Sequence, residues 1–139
     1  MNVDAIKNGI VIDHIQAGQG MEIYRFLNLE ALDCAVAIMK NVTSRAMGKK
    51  DIIKIDGRLD LDLEALGYID PEITINIIQD EKRVKKYHPK LPEVLTDIVA
   101  CKNPRCITTT EQELPQIFYL SDRRTKVYRC RYCDGKMDK

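Results

Sequence analysis

Four cysteines in the last third of this sequence carry its clearest chemical pattern: Cys101-x4-Cys106, a 23-residue insertion, then Cys130-x2-Cys133. Each short spacing lets one turn present two sulfurs to the same ion. The insertion is long enough to fold back as a hairpin and bring the second pair across. Four thiolates close a tetrahedral structural site for Zn2+. Asn103-Pro104 and Asp134-Gly135 supply turn residues beside the two pairs. A segment of roughly 40 residues holds too little core to fold unaided, so metal binding and folding are expected to be one event. With all four positions filled, no coordination site stays open for water or substrate. Two disulfides or a redox pair are the alternatives. A catalytic Cys-x-x-Cys, however, stands by itself near a thioredoxin-like pattern, and here a second pair accompanies it. The fifth cysteine, Cys34, lies in the apolar run Cys34-Ala35-Val36-Ala37-Ile38-Met39 and is expected to be a buried small hydrophobe.

A second, more diffuse constellation lies upstream. Asp13 and His14 break the apolar run Gly9–Ile15, Lys50 and Lys54 flank the run Asp51–Ile55, Asn76 interrupts another, and Lys82, Arg83, Lys85 and Lys86 follow. Lysines offer point charges to a polyphosphate. An aspartate accepts hydrogen bonds from hydroxyls, and an amide both donates and accepts. Against this anion-site reading stands a plainer one, in which Glu81–Lys86 is a solvated loop and His14 a satisfied structural histidine. No phosphate loop, dinucleotide fingerprint, nucleophile elbow or His-Glu metal motif is present in the sequence. With two histidines and no base–nucleophile pair, the sequence points away from an enzyme.

These groups need elements to hold them. Gly9–Ile15 reads as a strand, Gly20–Leu29 as a helix with Met21, Tyr24 and Leu27 at helical spacing, and Ala35–Val42 as a strand. Ser44–Lys49 reads as a turn, Asp51–Asp56 as a strand, Leu59–Ile69 as a short helix, and Ile73–Ile78 as a strand. Strand, helix, strand, strand, helix, strand is the order of a split β-α-β, ferredoxin-like layout, in an α+β chain. Lys85–Pro92 breaks the pattern, because Pro89 and Pro92 extend neither a helix nor a central strand. The expected domains are therefore 1–92 and 93–139, the second a small all-β zinc ribbon of rubredoxin-like type. Its strand candidates are Ile98–Ala100, Ile117–Leu120 and Lys126–Arg129.

The overall charge narrows the partners. Twenty-two basic residues against 21 acidic leave a net charge of +1, which gives no global attraction to nucleic acid or anionic lipid. No apolar run approaches the roughly 18–20 residues of a membrane helix, and residues 1–9 lack a signal-peptide layout. A cytoplasmic protein is expected. Arg123, Arg124, Lys126, Arg129 and Arg131 interleave with Tyr119, Tyr128 and Tyr132, so a nucleic-acid-binding zinc ribbon is the alternative function. The surplus in 93–139, nine basic against seven acidic groups, is small for that role.

Taken together, several segments resemble the regulatory chain of aspartate carbamoyltransferase. They are Val3-Asp4-Ala5-Ile6-Lys7-Asn8-Gly9 with Val11-Ile12-Asp13-His14-Ile15, Met47–Ile55, Thr74-Ile75-Asn76, Leu91-Pro92-Glu93 and the four cysteines, in that order. The resemblance spans nearly the whole chain. It implies a non-catalytic subunit of pyrimidine biosynthesis with an N-terminal allosteric domain that binds CTP, UTP or ATP. It also implies a C-terminal zinc domain that docks on the catalytic chain, and regulatory dimers that link catalytic trimers. By resemblance, Ala5 and Ile6 line the nucleotide pocket, with the Ile6 backbone reading the base. Asp13 and Lys54 address the ribose, His14 and Lys86 the phosphates, and Asn76 sits nearby. Cys101, Cys106, Cys130 and Cys133 are the implied zinc ligands. Two departures stand out. The segment before Val3 is shorter than in the best-known members, where it helps form a second, metal-bridged nucleotide site near the position of Lys50. Glu81 and Arg83 stand where a tyrosine and a valine are familiar. Base contacts there use mainly the backbone, so the resemblance carries over nucleotide binding but not which nucleotide inhibits.

Overall fold

Alternating isoleucines build the N-terminal sheet. In β1 (Gly9–Gln16), Ile10 and Ile12 are buried on one face while Val11 and Asp13 point to the other, as the two-residue period of a strand requires. β3 (Gly48–Asp56) repeats the pattern with Ile53 and Ile55 buried and Lys54 half-buried. β4 (Thr74–Gln79) contributes Ile75 to the same core. The structure is a computed structural model describing residues 6–57, 63 and 65–137, and the chain divides into two units, Met1–Lys90 and Leu91–Lys139.

In the first unit, β2 (Ala35–Ser44), β3, β1, β4 and β5 (Lys82–Tyr87) form, in that order, one antiparallel sheet among the described residues. Helices α1 (Gly20–Phe26) and α2 (Leu66–Ile69) supply Ile23 and Leu66 to the core against Ile12, Ile53 and Ile75. Both helices therefore cover one face, as a ferredoxin-like order requires. Gly9 begins β1 because a Cβ there would lie 2.0 Å from the Ile55 carbonyl oxygen.

Several boundaries differ from the sequence reading. The helix expected over Gly20–Leu29 ends at Phe26, because Asn28 turns left-handed (φ 53°) and a short 3-10 turn, Leu29–Ala31, follows. The expected turn Ser44–Lys49 is narrower, since the β2–β3 ladder runs on to Ser44↔Gly48. Part of the expected helix Leu59–Ile69 lies outside the described residues; Leu66–Ile69 is helical. The basic run read as a loop is a fifth strand: Lys82–Tyr87 pairs with β4 after a two-residue turn at Asp80-Glu81, both with positive φ, as the favoured hairpin turns demand. Lysines along this edge discourage further strand pairing. Cys34 is half-buried rather than fully buried, packed against the core cluster.

Two bulges flank one buried carboxylate. His14 (φ 58°) interrupts the β1–β3 register and Asn41 (φ 58°) interrupts β2–β3. Asp51, fully buried, accepts hydrogen bonds from the backbone N–H groups of Gly18, Gly20 and Asn41, all at 3.0 Å. It ties the loop before α1 and the β2 bulge to β3. Asp51→Asn puts an amide donor where only acceptors fit. The predicted result is a loss of roughly 2–3 kcal/mol in stability, read as a lower urea midpoint; an unchanged midpoint rules out this role for the carboxylate.

The second unit is a three-stranded antiparallel sheet of β6 (Val94–Thr96), β7 (Ile117–Asp122) and β8 (Val127–Cys130), with one helical turn, α3 (Ile107–Thr110). Leu95, Phe118 and Tyr128 are fully buried, and the Tyr128 hydroxyl donates to the Pro92 carbonyl at 2.6 Å. The strand expected at Ile98–Ala100 lies earlier, at Val94–Thr96. Asp97 is left-handed and exchanges hydrogen bonds with Gln116 (2.7 and 2.8 Å), which closes the ladder before Ile98 is reached. No helix of the described residues is long and apolar enough to cross a membrane.

Candidate functional site

The four C-terminal cysteines converge. All four Sγ atoms lie within 4.8 Å of one another, with Cys101–Cys133 and Cys106–Cys130 each at 3.7 Å. These separations are far beyond a disulfide bond of about 2.05 Å. A tetrahedral ion with metal–sulfur bonds of about 2.3 Å needs sulfur–sulfur edges of about 3.8 Å, so the cluster fits a metal ion. Cys106 and Cys130 are buried; Cys101 and Cys133 are half-buried.

Polar groups around the sulfurs favour thiolates unevenly. The Asn103 side chain and the Gly135 N–H lower Cys133 to about 7. The Thr108 hydroxyl, 3.1 Å from the Cys106 sulfur, lowers Cys106. Burial raises Cys101 to about 12 and also raises Cys130, although backbone N–H groups of Asn103 and of Tyr132 and Cys133 oppose it. A cation shared by all four offsets that burial cost. Backbone N–H groups directed at ligand sulfurs fix their positions and spread their charge. Arg129 donates to the Asp134 carbonyl (3.0 Å) and Arg123 to the Leu91 carbonyl (3.2 Å), so these two of the five interleaved cations brace the unit's own backbone.

The second site lies on the open face of the N-terminal sheet, opposite the helices. Cross-strand register sets Lys54, Val11, Asn76 and Lys86 in one row across β3, β1, β4 and β5. A cavity of about 490 Å3 is lined there by Asp13, His14, Asn76 and Lys86 together with Val11, Thr74, Ile78, Glu81 and Arg83. His14, held in its left-handed bulge, places Nδ1 3.1 Å from the Thr74 hydroxyl. Asp13 accepts the His14 N–H (2.6 Å) and pairs with Lys50 at 2.9 Å. Asn76 donates to the Val11 carbonyl (3.3 Å), while its Oδ1 is buried without a partner. A buried acceptor without a donor is costly.

Lys54 lies in the same row as the cavity but outside its lining. Ile6 is half-buried just ahead of a segment in which the Lys7 carbonyl accepts the Glu81 N–H (2.9 Å) and Asn8 Oδ1 accepts the Asp80 N–H (3.2 Å). The N-terminal segment thus runs beside the β4–β5 turn. Ala5 lies outside the described residues. Thr74 and Ile78 were missed as lining residues. The two-residue period through Asn76 was the signal for them; Arg83, singled out in the sequence with Lys82, Lys85 and Lys86, lines the cavity as Lys86 does.

The chain thus joins an α+β unit with a polar cavity on the open face of its sheet to a second unit whose four-cysteine cluster fits a metal ion. Residues 1–90 match the family model "Aspartate carbamoyltransferase regulatory chain, allosteric domain", and residues 93–139 match "Aspartate carbamoyltransferase regulatory chain, metal binding domain". A regulatory chain from Clostridium tetani is 50% identical over 135 residues, covering 96% of this chain and 94% of the relative. One from Clostridium botulinum is 48% identical (96% and 92%), and one from Bifidobacterium longum 39% (96% of each). The chain belongs to the aspartate carbamoyltransferase regulatory chain family and is a non-catalytic regulatory subunit.

Proposed function

We propose that this chain senses nucleoside triphosphates in its N-terminal unit and passes the signal, through a zinc-held C-terminal unit, to the catalytic chain of aspartate carbamoyltransferase. The outcome is feedback control of pyrimidine biosynthesis in the cytoplasm. CTP, UTP and ATP are the effector class, and a dimer of this chain links catalytic trimers. The domain division at 92/93 follows the same assignment. The observation that carries the reading is the open-face cavity, where His14 and Lys86 offer donors to phosphates and Asp13 an acceptor to ribose hydroxyls. Lys54 serves the ribose from the neighbouring strand, and the backbone at Ala5 and Ile6 reads the base. The ion is Zn2+, held by Cys101, Cys106, Cys130 and Cys133, because an all-thiolate tetrahedral set is the signature of structural zinc. It supplies a cross-link and no chemistry.

Coupling requires that a nucleotide bind one quaternary state better than another, and only that difference counts; about 1–3 kcal/mol is typical. Calorimetric titration of the purified full chain with CTP, UTP and ATP, alongside co-purification with the catalytic chain, tests the proposal. Saturable binding of at least one triphosphate together with co-purification is expected. Failure of all three to bind removes the sensing role, and salt-sensitive oligonucleotide binding in their place favours the zinc-ribbon alternative.

A further inference from the structure

The turn α3 packs against expectation. Ordinary burial would put an isoleucine inside and a threonine outside. Here Ile107 is 50% exposed, while Thr108, the next residue, is 4% exposed. The buried hydroxyl has a partner: Thr108 Oγ1 lies 3.1 Å from the Sγ of Cys106, itself 1% exposed. The main chain of Cys106 is held on both sides. Its N–H donates to the Asn103 carbonyl at 3.0 Å. Its carbonyl accepts the Thr109 N–H at 3.0 Å and the Thr109 hydroxyl at 2.7 Å. Rotation about Cα–Cβ is the freedom left to the thiol, and the Thr108 hydroxyl takes it up.

Resting on the proposed Zn2+ site, we infer that Thr108 is a positioning residue for the metal: its hydroxyl holds the Cys106 sulfur in its binding rotamer and shares the thiolate's charge. A metal-bound cysteine has lost its proton, and a thiolate can only accept, so the hydroxyl donates. Hydrogen bonds to an ionised acceptor are about twice as strong as neutral ones. Burial makes this one hard to replace. Cys133 takes the Gly135 N–H at 3.4 Å and is half-buried, so water can stand in for a donor lost there. Cys106 is sealed from solvent, and a donor lost beside it leaves a charged sulfur with nothing in its place. Groups that hydrogen-bond to metal ligands commonly account for about 10–100-fold in metal affinity.

Two substitutions separate positioning from packing. Thr108→Val keeps the branched shape and deletes the donor. Thr108→Ser keeps the donor and deletes a methyl group. For a residue that only fills space, valine is the harmless change and serine the harmful one. For a positioning residue the order reverses. The full chain, purified with zinc, is titrated against a chromophoric chelator of known zinc affinity. Thr108→Val is expected to bind zinc about 10–100-fold more weakly than the unaltered chain, with Thr108→Ser within about threefold of it. With Co2+ replacing Zn2+, the sulfur-to-metal charge-transfer band of Thr108→Val should move to longer wavelength, because a thiolate relieved of a donor gives up charge more readily. Thr108→Ser should keep the native band. Unchanged affinity and an unmoved band in Thr108→Val, or a loss in Thr108→Ser as large as in Thr108→Val, overturn the inference and leave the metal site standing. If Thr108→Val does not fold with zinc in excess, Thr108→Ser decides: native affinity and band support the hydroxyl's role, and a tenfold loss of affinity overturns it. An unaltered chain that binds no zinc overturns the metal site and this inference with it.

Discussion

Cys106→Ser is predicted to leave the C-terminal unit without its metal and without its fold. The variant should purify with substoichiometric zinc by elemental analysis, lose the slow-exchanging amides of β7 and β8, and no longer co-purify with the catalytic chain. The magnitudes point one way. Among the described residues, the large apolar side chains fully buried in this unit are Leu95, Phe118 and Tyr128, each contributing about 1.5–3 kcal/mol. Structural zinc in small domains contributes on the order of 10–16 kcal/mol near neutral pH. A zinc ion held as proposed outweighs the core, and a serine at Cys106 removes a thiol whose sulfur is 3.7 Å from that of Cys130. A chelator or a thiol-blocking mercurial should do the same to the unaltered chain and, under the proposed docking role, end its co-purification with the catalytic chain. A metal-free variant that kept its exchange protection and still bound the catalytic chain would end the case for a zinc-held adaptor.

The thiolate cluster was legible from spacing because its geometry is local: two tight turns each set a pair of sulfurs, and one hairpin joins them. The core of the sheet was legible for a similar reason. Ile10, Ile12, Ile53, Ile55 and Ile75 obey a two-residue period, and burial enforces it. The lining of the open face was harder to read. Asp13, His14, Asn76 and Lys86 stood out as polar residues in apolar runs, yet what assembles them is register between strands far apart in sequence. That register depends on bulges at His14 and Asn41, which no propensity signals. They become intelligible only once Asp51 is seen collecting three backbone N–H groups from the loop before α1 and the β2 bulge. Strand β5 was hidden by composition. Lys82-Arg83-Val84-Lys85-Lys86 is exposed and charged because it is an edge, and an exposed edge strand has the composition of a loop. The same feature conceals function, since Arg83 and Lys86 reach the cavity only because that run pairs with β4.

The combination His14→Gly with Lys86→Ala is predicted to abolish useful triphosphate binding while leaving the sheet intact. Each side chain offers a charge-assisted or polar hydrogen bond to phosphate, worth roughly 1.5–3 kcal/mol to a charged acceptor. If the two act independently, their joint loss amounts to about 4 kcal/mol, near a thousandfold in Kd. Glycine is the informative replacement at His14. The native φ of 58° suits glycine better than histidine, so removing the imidazole relieves backbone strain as it deletes the contact to Thr74. Stability should therefore hold or change little, and the binding loss cannot be assigned to a collapsed bulge. Lys86 is exposed on an edge strand, where truncation is commonly within about 0.5 kcal/mol of neutral. Calorimetric titration and a urea melt on the same preparation separate the two effects. A variant with an unchanged melt and unchanged affinity moves the phosphates off this face and takes the nucleotide site with them. A variant that binds weakly and melts normally ties the anionic end of the ligand to the bulged strand, the strand that Asp51 anchors to the rest of the sheet through β3.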